Sequence, residues 1–322
     1  MFRVGRVDEE LPWSGITHLV EHLTLFELGA GPAQSYSYNG AVTPARTYFV
    51  ASGTPDDIVD FFAHVTRRLH DLPLQRLEAE KRVLLAEATS RGMAAGDLLF
   101  GLRYGARGHG LYLYEEFALQ QVSAEGVQSW ANHWFTRENA VLCLSGEPPP
   151  NLRLNLPPGI RRREPQPQEL PLTLPAYSQR RVTGAGAGMV GARSTELILG
   201  SNIIAKRALD TLRYQQGVAY HVSSDYLPTG PDRAHMTFWS DCEQSHAGEV
   251  LTGLVASVYE LATVGPTGEE LKAEVDQFRK MVARDDAAVG WRHRAPLRGP
   301  SGDPPQPPTG GARGWGGRAP VG

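Results

Sequence analysis

Apolar and polar positions alternate along the first 145 residues in a way that predicts a mixed α/β region. Residues 14–28 read as a helix, and residues 41–52, β-branched and aromatic, read as a strand. Next come Thr54, Pro55 and Asp57, which form a capping-box pattern with proline at the first helical position. The helix they start runs to about residue 71, with Ile58, Phe61, Phe62, Val65 and Leu69 on one face. A further helix is predicted over 75–92, a helix capped by Ser123 runs to about Phe135, and 140–144 reads as a buried strand. Residues 147–177 are rich in proline and charge, which predicts a semi-rigid linker at a domain boundary. Beyond it the α/β pattern resumes, with strands near 179–183, 218–226 and 234–241 and helices over 199–213 and 246–263. Thr267 and Glu270 repeat the capping-box pattern at the start of another helix. These shifts divide the chain into 1–146, the linker 147–177, a second unit 178–286, and a Pro/Gly-rich tail 287–322. That tail cannot bury enough surface to offset its conformational entropy and is expected to be disordered.

Composition narrows the class. The length of 322 residues suits two domains, and 41% hydrophobic with 21% charged residues fits a soluble globular protein. A net charge of −3 argues against nucleic acid as the main partner. Cys143 and Cys242, the two cysteines, make neither a disulfide framework nor a cysteine-based zinc site, and Cys143 is expected in the core. The first ten residues lack the apolar core of a signal peptide, and no run of eighteen apolar residues occurs. A cytoplasmic protein that does not engage a membrane is therefore expected.

The chemistry concentrates in His18-Leu-Val-Glu21-His22. Two histidines four apart project from one face of a helix, and Glu21 can reach the space before a metal they share. Neutral imidazoles hold zinc, and an adjacent carboxylate can take a proton from water there. The order H-x-x-E-H inverts the commoner H-E-x-x-H metalloprotease motif. A helix carrying two surface histidines would show the same spacing. A third ligand is available in the segment 77–88, where Glu80 and Glu87 lie seven apart on one helix face. Glu87 is flanked by Val83, Leu84, Leu85, Ala86 and Ala88, an apolar setting in which a carboxylate needs a cation. The alternative is a solvated acidic stripe, the reading adopted for Glu78.

Together these residues resemble the pitrilysin/insulinase family of zinc peptidases, which includes the mitochondrial processing peptidases. In that family an H-x-x-E-H helix is followed by a helix with two glutamates seven apart, the second of which binds zinc. The resemblance implies Zn2+ held by His18, His22 and Glu87, with Glu21 as general base and Glu80 as an assisting acid. Asn39-Gly40-Ala41-Val42-Thr43 resembles the family's Asn-Ala-x-Thr edge strand, which pairs with peptide substrate. Arg213 through Tyr220 resembles its Arg-x-x-x-Gly-x-x-Tyr segment, which implies that Arg213 and Tyr220 reach the zinc site from the second domain. Read without the family, Tyr220 is a strand aromatic and Arg213 a helix-end cation. The implied fold is α+β: two related α/β domains, each a mainly antiparallel sheet backed by helices, facing across a cleft. The implied activity is a zinc metalloendopeptidase acting on extended peptides, with a homo- or hetero-oligomer with a related subunit as a further implication. Family members that lack the metal residues serve as structural or peptide-holding subunits, and that is the competing class; a non-functional gene fragment is a third reading.

The resemblance covers roughly residues 1–285 and has three departures. Glu87 follows His22 by 65 positions, somewhat fewer than usual, with the shortening expected between residues 28 and 38. Strands that normally precede the metal helix, and closing helices after about residue 285, are expected to be missing.

Other motifs are set aside. Gly186-Ala-Gly188-Met-Val-Gly191 matches G-x-G-x-x-G, but no helix is predicted at its third glycine, so glycines in a strand or loop are the better reading. His64 and His70 are six apart, poor spacing for a shared metal, and the arginines 161–163 read as solvated. His133 and His221 have no evident metal partner, although His221 adjoins Tyr220.

Overall fold

In the computed structural model, residues 1–28, 36–91, 95–114, 116–180 and 183–282 are described. The fold is α+β, with two antiparallel sheets and two hydrophobic clusters. The first cluster is drawn from residues between Phe2 and Leu156. At its centre is α1 (Ile16–Leu25), whose Ile16, Leu19, Val20 and Leu23 are fully buried. Each such side chain contributes about 1.5–3 kcal/mol of apolar burial. Around α1 pack the hairpin β1 (Ser37–Val42) and β2 (Thr47–Ser52), then α2 (Pro55–His70), α3 (Leu77–Arg91) and, later in the chain, α5 (Ala124–Trp134). The capping box at Thr54 forms as its sequence predicts: Thr54 N donates to Asp57 Oδ2 at 2.8 Å, and Asp57 N donates to Thr54 Oγ1 at 3.3 Å. Ser123 Oγ likewise caps α5, accepting from Gly126 N at 3.1 Å.

The single strand expected over 41–52 is instead a hairpin. Pro44 lacks a backbone donor, and Thr43 closes the turn around it, with Thr43 N donating to Arg46 O at 2.8 Å. The strand expected over 140–144 is reduced to one bridge, Ala140 to Phe2. Val141 and Leu142 are exposed and Cys143 is only half-buried, so this apolar run lacks the second neighbour that would make it a core strand. One helix, α4 (Ala95–Tyr104), was not anticipated, because its apolar residues lie in a stretch without cap signals.

The second cluster is built from Ile204, Ala208, Leu212, Met236, Phe238, Val250 and Leu254. Here β3 (Ala185–Ala192), β4 (Ser223–Pro228) and β5 (Arg233–Ser240) form a sheet in the order β3-β5-β4, both pairs antiparallel. Met236 and Phe238 face α6 (Thr195–Leu209) and α7 (Ala247–Val264), while α8 (Gly268–Val282) packs on α6. The alternate residues His235 and Trp239 face α4, so the sheet has helices on both sides. The glycines of the G-x-G-x-x-G match lie along β3, where Leu99 of α4 approaches the Cβ positions of Gly186 and Gly188 at 3.4 and 3.5 Å. They serve helix–sheet packing. The strand expected near 179–183 begins instead at Ala185.

Residues 147–177 have no regular structure but are tied to both regions. Arg3 Nη2 donates to Arg163 O at 3.0 Å, Arg162 N to Asn139 Oδ1 at 3.1 Å, and Glu169 pairs with Arg103 and Arg233, each at 2.8 Å. The expected disordered tail, and part of the expected shortening near residue 30, lie outside the described residues. Among the described residues, one helical stretch, Gln244–Val264, is long and apolar enough to cross a membrane by length and composition alone. Glu249 and Glu260 punctuate it, so its apolar residues form no uninterrupted run in the sequence.

Candidate metal centre

Gly15 starts α1 at φ 93°, a left-handed conformation that suits glycine. With no side chain at this cap, Glu9 caps the helix from outside: its two oxygens accept from Gly15 N and Thr17 N, each at 2.9 Å. Burial holds the Glu9 carboxyl above its usual range, against these hydrogen bonds. One turn on, His18 and His22 lie edge to face with ring centroids 4.9 Å apart. α3 brings Glu80 and Glu87 up beside them. Ligand atoms of His18, His22 and Glu87 all fall within 4.8 Å of one another.

Both imidazoles turn Nε2 toward the Glu21 carboxylate. Glu21 Oε2 stands 3.7 Å from His18 Nε2 and 3.8 Å from His22 Nε2, and Glu87 Oε2 stands 3.5 Å from His22 Nε2. Each Nδ1 faces a different carboxylate: Glu116 Oε1 lies 2.7 Å from His18 Nδ1, and Glu80 Oε2 lies 3.6 Å from His22 Nδ1. Glu80 thus stands behind His22 and also pairs with Arg76 at 3.3 Å. Glu80 is the buried member of the seven-residue pair, whereas the Glu87 side chain is 41% exposed. Glu87 therefore does not lie in the apolar setting expected of it, because Val83 and Ala86 point to solvent. The case for Glu87 rests on its distance from His22.

Glu116 escaped the sequence reading. It sits in an irregular loop nearly one hundred residues from His18, within an ordinary acidic dipeptide, and no sequence signal marks it.

Glu21 is 4% exposed, and burial pushes its carboxyl up to about 7, with Glu87 adding to the rise and His18 opposing it. Burial and the neighbouring His18 lower the His22 imidazole, against Glu87 and Glu80. Four carboxylates converge on two imidazoles, and the nearby cations are Arg6, 3.8 Å from Glu116, and Arg76. A divalent cation among the Nε2 atoms and Glu87 would offset this excess of negative charge. Two imidazoles and a carboxylate, with carboxylates behind the rings, are a donor set that suits zinc. The edge strand β1 closes one side of the group. A Cβ added at Gly40 would stand 1.8 Å from Glu21 Oε1, so the carboxylate occupies the space a side chain there would need.

Arg213 and Tyr220 are joined to each other. Arg213 Nη1 donates to Tyr220 O at 2.9 Å, and its guanidinium lies 4.7 Å from the Tyr220 ring centroid. Tyr220 is 76% exposed, and among the described residues no hydrogen bond, ion pair or ring contact links either residue to His18, His22 or Glu87.

No family model matches the sequence, and no curated protein matches it. Solved structures do. A protease from Helicobacter pylori aligns at a TM-score of 0.68 and 14% identity over 90% of this chain and 80% of that one. The peptidase M16 inactive domain from Pseudomonas fluorescens aligns at 0.66 and 14% identity, over 90% and 79%. Pitrilysin aligns at 0.54 and 14% identity over 84% of this chain, which spans 34% of the pitrilysin chain. At these identities the likeness is one of fold, and the fold is that of M16 peptidase domains.

Proposed function

We propose that the chain is a zinc-dependent endopeptidase acting on extended peptides. The observation that carries this reading is the mutual approach of His18, His22 and Glu87 within 4.8 Å, with the Glu21 carboxylate facing both Nε2 atoms. His18, His22 and Glu87 would hold the ion, which supplies a Lewis acid and a water of pKa about 7. Glu21 takes the proton as water attacks the scissile carbonyl and returns it to the leaving amine. Glu80 orients His22 from behind. Arg213 and Tyr220 are assigned to substrate contact as hydrogen-bond donors. Among the described strands β1 pairs with β2 alone, which leaves its other edge to accept a peptide as an added strand beside Glu21.

A second reading, a peptide-holding subunit without catalysis, draws on the likeness to the inactive domain from Pseudomonas fluorescens. Metal analysis combined with peptide cleavage, with and without chelator, separates the two. The peptidase reading expects one zinc per chain and chelator-sensitive cleavage; folded protein that takes up no zinc refutes it. Glu21→Gln is expected to keep the metal and lose cleavage by about 10²–10⁴-fold.

A further inference from the structure

The proposed site explains Glu21 and Glu87 but gives no part to Glu116, the carboxylate closest to either imidazole. Its Oε1 lies 2.7 Å from His18 Nδ1, and its side chain is 1% exposed. Burying an ionised carboxylate is costly unless it is paired and hydrogen-bonded. The backbone of Glu116 also stands at φ 52°, left-handed for a non-glycine residue, which costs on the order of 1–3 kcal/mol and persists only where the surroundings over-determine it. The surroundings do so. Ala118 N donates to Ser14 Oγ at 3.1 Å, Leu119 is fully buried against Gly15, and the Glu116 Cα would meet a Cβ at Gly15 at 2.9 Å. The loop is thus pinned to the start of α1 at Ser14, Gly15 and His18. Arg6 approaches the same Glu116 oxygen at 3.8 Å and complements its charge.

A carboxylate has no proton to donate when ionised, so its contact with Nδ1 requires the imidazole proton there. Nε2 is then left as a lone-pair donor, pointing to the space shared with His22 and Glu87. We infer that Glu116 is a positioning residue that holds His18 in the Nδ1–H tautomer with Nε2 presented to the metal. The inference rests on the zinc reading for its purpose but on the loop geometry for its substance. Glu116 and Glu80 then play matched parts, one behind each histidine, and the tighter of the two comes from a loop distant in sequence.

The test has two arms. In Glu116→Gln the amide can offer either its oxygen or its NH2 to Nδ1, so selection between tautomers is lost while shape is kept. Zinc affinity, measured by chelator competition, is expected to fall 10–100-fold, with the circular dichroism of the metal-free variant matching wild type. Glu116→Asp should recover part of that loss. Equal affinity in wild type and the Gln variant overturns the inference and leaves the zinc reading standing. The second arm needs neither variant nor metal. Long-range ¹H–¹⁵N correlation spectra of the metal-free wild type at mildly alkaline pH should show the His18 proton on Nδ1; a proton on Nε2 overturns the inference even if the variants fail to fold. Wild type that shows the Nδ1–H tautomer and binds no zinc would sink the peptidase reading while upholding the positioning by Glu116.

Discussion

Among the described residues, two pairs of buried or half-buried histidines lie in opposite surroundings. His18 and His22 on α1 each have a carboxylate behind Nδ1 and further carboxylates before Nε2. His109 and His235 lie where α4 and the loop after it meet the second sheet, in tilted and edge-to-face contact with Tyr104 and Phe100. Burial lowers His235 to about 3, and the charges that act on it, Arg103 and His109, push the same way; burial alone lowers His109 to about 4. The second pair is neutral packing material. The first pair is the one whose surroundings could hold a cation. Burial is common to both, so it is the carboxylates that set the candidate ligands apart from the core histidines.

This contrast can be broken most directly at the ligands. His22→Ala should weaken zinc binding by at least about 100-fold and abolish cleavage, while His235→Gln leaves the zinc stoichiometry of the folded protein at the wild-type value. Metal analysis of both variants checks the pair; equal zinc loss would erase the distinction. A Cβ at position 40 comes next. Gly40→Ala should displace the Glu21 carboxylate and lower kcat by about 10–100-fold at unchanged zinc content, because metal ligands and base are different side chains.

The acid response sharpens the same comparison. A histidine whose folded pKa is depressed binds fewer protons folded than unfolded. Its contribution to stability is intact above the unfolded value of 6.5 and is lost as pH falls toward the folded value. Stability should therefore decline as pH drops from 6.5 toward about 4 for His109, and toward about 3 for His235. Replacing each by Gln should flatten the slope by about one proton per site, measured by denaturant unfolding across that range. The smallest effect is expected at Tyr220, which is mostly exposed. Tyr220→Phe should lower kcat/KM about tenfold, the worth of one hydrogen bond, with zinc content unchanged.

Much of the site was legible because it is local. His18, Glu21 and His22 share one turn of α1, and Glu80 and Glu87 share one face of α3, so helical periodicity alone sets their relative directions. The capping boxes at Thr54 and Thr267 were legible for the same reason: partner and backbone lie within four residues. What escaped was set by distant contacts. The apolar run at 140–144 has strand composition but only a single bridge, at Ala140. The glycines of β3 read as strand or loop glycines in the sequence, but that α4 lies across them is visible only in the fold.

By itself the sequence determined which donors this protein can offer a metal and how each pair is spaced along its own helix, because intervals of four and seven residues return side chains to one face of an α-helix whatever surrounds it. Only the tertiary structure decided that α3 stands beside α1, that Glu80 is buried and Glu87 is not, and that a loop nearly one hundred residues away supplies the carboxylate behind His18. Those are matters of packing between segments, settled by which apolar faces meet and which buried charges find partners, and no local spacing encodes them.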